Sequence, residues 1–205
     1  LTDFGQFMLK RDFNDEKTWA ILLCNLAYSP AFNWYITNIP FDVDYTSETA
    51  ALDLADASKH AIGEFWNAFK TILDSNSCLQ LIGFGIPEIE SKTTKMGDVK
   101  KKMLSLRRTA WMNPDSLTIL YSLYKFAEAC GGYYQFSLST LLDDSIERDG
   151  VSPTRIFGLG EDEMKRILNG LSSNYPDFIS ASFTLDLDNI TLRSEKTADD
   201  VLQLF

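Results

Sequence analysis

Little in this chain of 205 residues names a chemistry. It holds one histidine and three cysteines. Cys24, Cys78 and Cys130 are far apart, odd in number and without C-x-x-C spacing, which argues against a disulfide framework and against a cysteine-built zinc site. Cys24 and Cys130 fall in apolar helical runs, where a thiol behaves as a small hydrophobe. Gly83-Phe84-Gly85 and Gly158-Leu159-Gly160 lack the remaining glycine of a dinucleotide loop, and neither G-x-x-x-x-G-K nor G-x-S-x-G occurs. No apolar run approaches the ~18 residues that span a bilayer, and no signal peptide precedes Leu1. A soluble, cytoplasmic protein is therefore expected, without cofactor or membrane partner. Because the chain opens on Leu1 and not Met, a further N-terminal region is expected to be missing.

Apolar and aromatic residues are plentiful, at 45% and 13% of the chain. A chain of this length buries roughly 70% of its unfolded surface, so it supports a folded protein of one compact domain or two small ones. The formal net charge is −10, with 19 Lys and Arg against 29 Asp and Glu. Lys92, Lys95, Lys100, Lys101, Lys102, Arg107 and Arg108 lie together with one acid, Asp98, so this segment carries +6 (7 − 1) and the remainder −16 (12 − 28). A phosphate-binding surface responds to local potential, which net charge conceals.

Helical periodicity dominates the first two-thirds. The pattern predicts helices over Glu16 to Tyr28, Phe32 to Ile39, Ser47 to about Ile72, Val99 to Ala110, Pro114 to Cys130 and Leu138 to Ile146. Leu79 to Ile86 reads as a short buried strand or turn, and Ser91 to Gly97 as a polar linker. Later, Met164, Ile167, Leu168 and Leu171 mark an amphipathic helix from Glu161. Ile179, Ala181, Phe183 and Leu185 then alternate with Ser180, Ser182 and Thr184, Asp186-Leu187-Asp188-Asn189 reads as a turn, and Ile190 and Leu192 continue on a return strand. The predicted fold is mainly α: a helical bundle with a winged-helix-like C-terminal module containing a two-stranded β-hairpin. Its regions are residues 1–90, a basic helix and its successor over 91–136, and the module over 137–205.

On a helix from Val99, the residues Val99, Met103, Leu106 and Ala110 form one apolar stripe and leave Lys100, Lys101, Lys102, Arg107 and Arg108 outside it. Such cations neutralise phosphates irrespective of base sequence; the alternative is a solvated helix pairing with acids of the body. Lys165, Arg166 and Arg193 add charge on the C-terminal module. A recognition helix beginning Glu161-Asp162-Glu163 would nevertheless present acids to phosphate, which favours packing or protein contact for that module. Asp56, His60 and Glu64 share one helix face, but a single helix supplies few converging ligands. Asp186 and Asp188, two residues apart, offer a pair of carboxylates of the kind metal-dependent nucleases use, with a turn as the competing reading.

Leu1-Thr2-Asp3-Phe4-Gly5, Asp15-Glu16-Lys17-Thr18-Trp19-Ala20-Ile21-Leu22-Leu23 and Trp34-Tyr35 resemble the central part of bacterial domain-of-unknown-function family 4007. Ser152-Pro153-Thr154-Arg155-Ile156-Phe157-Gly158-Leu159 and Phe183-Thr184-Leu185-Asp186-Leu187-Asp188 resemble its C-terminal region. Members carry a DNA-binding-like helical region ahead of this part. They are encoded near phosphoadenosine phosphosulfate reductase-like, DNA sulfur-modification and phage-defence genes. The resemblance implies an accessory role in DNA modification or defence and supplies no catalytic residues. The expectation is thus a non-enzymatic accessory protein that contacts DNA backbone, or a DNA-modifying enzyme subunit, through its basic helix. A protein-interaction scaffold and a metal-dependent nuclease-like enzyme are the alternatives.

Overall fold

The computed structural model describes residues 2–49, 59–143, 149–184 and 188–205. Its helices are α1 (Asp3–Met8), α2 (Glu16–Leu26), α3 (Pro30–Asn38), α4 (Lys59–Ser75), α5 (Ser77–Leu81), α6 (Ser116–Ala129), α7 (Leu138–Leu142), α8 (Pro153–Phe157), α9 (Glu161–Asn174) and α10 (Ala198–Leu202). The strands are β1 (Asp44–Thr46), β2 (Ile86–Thr93), β3 (Val99–Arg107), β4 (Gln135–Phe136), β5 (Ile179–Phe183) and β6 (Asp188–Leu192). Among the described residues, no helix is long and apolar enough to cross a membrane.

Local chemistry sets the helix starts. Asp15, Asp115 and Ser152 each accept a backbone N–H of the helix that follows them, satisfying donors that an uncapped first turn leaves without partners. Asp115 also pairs with Lys17 at 3.0 Å, joining the starts of α2 and α6. Deeper in the same contact, Asn25 and Tyr121 exchange hydrogen bonds at 2.8 and 3.0 Å. α6 is almost wholly buried, and side chains from all three predicted regions meet in one continuous apolar cluster around it.

The architecture corrects the mainly helical prediction. Among the described residues, two three-stranded antiparallel sheets, ordered β1-β3-β2 and β4-β6-β5, stand beside the helices. The largest departure is the predicted basic helix, which is β3. A β-bulge explains the misreading. Ile89 pairs with Met103 and Glu88 with Ser105, so Leu104 is an extra residue on β3. Met103 and Leu106 are both buried, and the bulge sets two inward residues three apart where a regular strand would space them by two. That spacing imitates one turn of helix. Gly97 and Asp98 belong to the β2–β3 turn, and the predicted linker supplies the last three residues of β2 and most of that turn.

The C-terminal region departs less. α9 lies where its amphipathic pattern predicts, and Ile179 and Ser180 pair with Leu192 and Thr191 as a hairpin. The hairpin is no free wing, however, because β4 adds to the other edge of β6 and Ile179, Ile190 and Leu192 are buried. Gly131 and Gly132, at φ 78° and 79°, turn the chain out of α6 toward that strand; both values lie in the left-handed region that glycine enters readily. Asp188 and Asn189, assigned to a turn, pair within β6 opposite Phe183 and Ser182.

A cationic hairpin as candidate polyanion-binding site

The charge island divides into an anchor just past the end of β3 and an arm built from β2 and β3. At the anchor, Asp42 N–H bonds the Arg108 carbonyl at 2.8 Å, Thr109 N–H bonds Gly83 at 3.1 Å and Trp111 N–H bonds Phe157 at 2.9 Å. Arg108 itself is fully buried. Its Nη1 donates to the carbonyls of Ile36 and Ile39 at 2.8 and 2.9 Å, and its Nη2 to those of Arg155 and Ile156 at 2.9 and 3.0 Å. The guanidinium lies 4.0 Å from the centre of the Phe41 ring. These carbonyls end α3 and α8, where helices leave acceptors unsatisfied and the macrodipole is negative. Arg108 is a structural cation shared by two helix ends and a strand, and it offers nothing to a partner.

Arg107, on the opposite face, makes a two-pronged contact with Asp44 of β1 at 2.8 Å through both Nε and Nη2. That hydrogen bond holds the exposed Asp44 carboxyl below its ordinary value. Near the middle of β3, α4 braces the sheet. Trp66 Nε1 donates to the Met103 carbonyl at 3.1 Å, and Lys101 Nζ reaches Asp74 at 2.8 Å. Lys70 donates to the Lys101 carbonyl at 3.4 Å.

Beyond this brace the hairpin projects. From Ser91 to Lys102 every residue except Thr94 is exposed. The segment holds five lysines and one acid, a charge of +4 (5 − 1). Strand alternation places Lys101 toward α4 and Lys100 and Lys102 on the other face. Lys92 stands directly opposite Lys100 and Glu90 opposite Lys102. Lys92 is paired with Glu90 at 3.1 Å. The side chains of Lys95, Lys100 and Lys102 make no ion pair among the described residues.

The tip is a tight turn. Gly97 N–H bonds the Thr94 carbonyl at 3.0 Å, Thr94 N–H bonds Asp98 at 2.7 Å, and Gly97 has φ 88°. This is the three-residue hairpin loop closed by a glycine bulge. It leaves Lys95 and Met96 at the outermost corner, and Met96 is 90% exposed.

The remaining predicted contact residues lie elsewhere. Lys165 pairs with Glu161 at 2.7 Å and Arg166 with Glu163 at 2.5 Å, both within α9. Arg193 donates to the Pro176 carbonyl at 3.2 Å. Of the eight cations picked from the sequence, the arm collects Lys100, Lys101 and Lys102. It adds Lys92 and Lys95, which lie outside the predicted helix, and Met96. The signal for these is the pair of β-tolerant runs, Ile86 to Thr93 and Val99 to Leu106, about a glycine.

The other candidates gain no support. Asp56 and Asp186 lie outside the described residues, as does the side chain of His60. No group of three or more His, Cys, Asp or Glu that could hold a metal ion occurs among the described residues. Burial pushes the Cys24 thiol up to about 12, far from the range of a reactive thiolate. Compared with known proteins, the chain matches no family model, no curated protein and no solved structure.

Proposed function

We propose that this protein is a non-enzymatic accessory protein that binds a nucleic-acid backbone through the β2–β3 hairpin. The observation that carries this reading is the directly opposed pair Lys92 and Lys100, extended by Lys95 and Lys102 on an exposed arm. Like charges opposite one another in a sheet destabilise it, by roughly 0.2–1 kcal/mol for a pair. Glu90 counters Lys92 at 3.1 Å while Lys100 makes no ion pair among the described residues, and a phosphate seated beside the two ammonium groups relieves the repulsion that remains. Flexible lysines on a ribbon suit sequence-independent neutralisation of phosphates. The cytoplasmic setting follows the expectation from the sequence, and a place in a DNA-modification or defence system, with a DNA-modifying enzyme as further partner, is supported by the family resemblance.

Fluorescence anisotropy with a labelled duplex at several salt concentrations tests the reading. Replacing Lys95, Lys100 and Lys102 together by Gln should weaken binding and lower the slope of log K against log salt by about 2.7, three phosphates at about 0.9 each. An unchanged slope refutes the assignment. If the wild type ignores duplex but retains an acidic protein from the same cell through these lysines, the hairpin is a protein-docking element and the scaffold reading holds.

A further inference from the structure

The geometry points to a specific mode of engagement, and we propose that the hairpin enters the major groove of duplex DNA with Met96 packed against thymine methyl groups at its floor. The inference rests on the nucleic-acid reading above and adds the groove, the depth and a base preference.

Three features carry it. The first is shape: the major groove, about 12 Å wide, admits a two-stranded ribbon without deformation, whereas the minor groove, about 6 Å wide, does not. Both strands of the hairpin are exposed from Ser91 to the tip and back to Lys102, apart from Thr94.

The second is depth. From the opposed Lys92 and Lys100 to the turn is about three residue steps, or about 10 Å at the rise of a β-strand. The groove is about 8.5 Å deep. With Lys92 and Lys100 at the level of the phosphates, the tip therefore arrives at the base edges. Lys102 and the Lys101–Asp74 pair remain near the rim, on opposite faces of the ribbon. An exposed ion pair of that kind exchanges readily for a phosphate contact.

The third is the residue at the corner. The turn requires Gly97, at φ 88°, and makes no use of the Met96 side chain, which is 90% exposed. The apolar feature that the major groove displays is the thymine C5-methyl. Methionine, unbranched and polarisable, adapts to such a surface.

Replacing thymine by uracil in an A·T-rich duplex removes these methyl groups and leaves every phosphate in place. The two duplexes should bind the wild-type protein with affinities about fourfold apart, the thymine duplex tighter, as burial of about one methyl-sized group predicts. Met96→Ala should abolish the difference without altering the salt slope, and Met96→Leu should retain it. Circular dichroism of Met96→Ala should match the wild type, because so exposed a side chain takes no part in packing. Methyl green, a major-groove ligand, should compete with the protein, and distamycin, a minor-groove ligand, should not.

Equal affinity for the two duplexes with a preserved salt slope overturns the groove insertion and leaves backbone binding standing. A fourfold preference that survives Met96→Ala also overturns it. Absence of salt-dependent duplex binding, or equally tight binding of polyglutamate, removes both readings together.

Discussion

Arg108, next to the last residue of β3, is a structural cation and not a binding one, and its replacement by methionine is the sharpest test of that role. The guanidinium donates four hydrogen bonds of 2.8 to 3.0 Å to the last carbonyls of α3 and α8. At about 1.5 kcal/mol each, the lower end for bonds to a charged group, they amount to about 6 kcal/mol. Removing the charge also relieves its desolvation, so a net loss of about 4 kcal/mol is expected. That is a large part of a total stability of about 10 kcal/mol. At 2–4 °C per kcal/mol for a chain of this size, the midpoint of thermal unfolding should fall by about 8–16 °C. Arg108→Lys keeps the charge but has three donors and no planar fork, so about half the loss should remain. Urea denaturation followed by tryptophan fluorescence reads both variants, since Trp66 and Trp111 are buried. Under conditions where the variant stays folded, its duplex affinity should equal that of the wild type. A loss of stability below about 1 kcal/mol, accompanied by weakened duplex binding, would refute the assignment and return Arg108 to the binding face.

Gly83→Ala should destabilise by about 3 kcal/mol or more in the same denaturation assay, because Gly83 has φ 74° and an added Cβ would stand 1.9 Å from the Thr109 carbonyl oxygen. Trp66→Phe removes the donor to the Met103 carbonyl and should cost about 1 kcal/mol. Hydrogen exchange should quicken at the amides of β3 and stay unchanged in the middle of α6; equal acceleration in both would show that Trp66 does not brace the hairpin in particular. The Asp44 carboxyl is held below its ordinary value of 3.8 by Arg107, so this pair contributes fully above that value and loses its contribution as pH falls through the lower folded value. A carboxyl titration by NMR should show Asp44 returning to the ordinary range in Arg107→Gln, and no change there would disprove the coupling.

Elements whose periodicity comes from one buried face are legible in the sequence. α2, α6 and α9 sit close to their predicted limits, and the alternation of Ile179, Ala181 and Phe183 with polar residues is enough to mark β5. The segment from Val99 misleads because tertiary structure alters the features that local rules read. Three successive lysines favour a helix by propensity. In the fold, Lys101 meets Asp74 while the hydrogen bonds of β2 hold the backbone extended. The bulge at Leu104 then disguises the strand period. β4 is invisible for a different reason: two residues carry no period, and Gln135 and Phe136 are a strand because β6 offers an open edge. Arg108 is indistinguishable from Arg107 by type and neighbourhood. What sets it apart is the convergence of α3 and α8 on one point, information contained in the packing of distant segments.

The projection of the hairpin also resolves how a protein of net charge −10 can attract a polyanion. At physiological ionic strength the Debye length is about 8 Å. The arm from Ser91 to its tip is about 15 Å long at the rise of a β-strand, so a phosphate at Lys95 lies nearly two screening lengths from the root of the hairpin. Over that distance the field of the acidic body is largely damped, while the lysines of the arm are in contact range. Lys92 and Lys101 already pair with Glu90 and Asp74; flat on the surface, Lys95, Lys100 and Lys102 would likewise pair with the 28 acids outside the island, as Lys165, Arg166 and Arg107 do with theirs. Extension is thus what keeps Lys95, Lys100 and Lys102 available. The β-hairpin serves this purpose better than the helix that the sequence pattern predicts, because each strand residue carries its side chain about 3.3 Å farther from the body, against about 1.5 Å per residue in a helix.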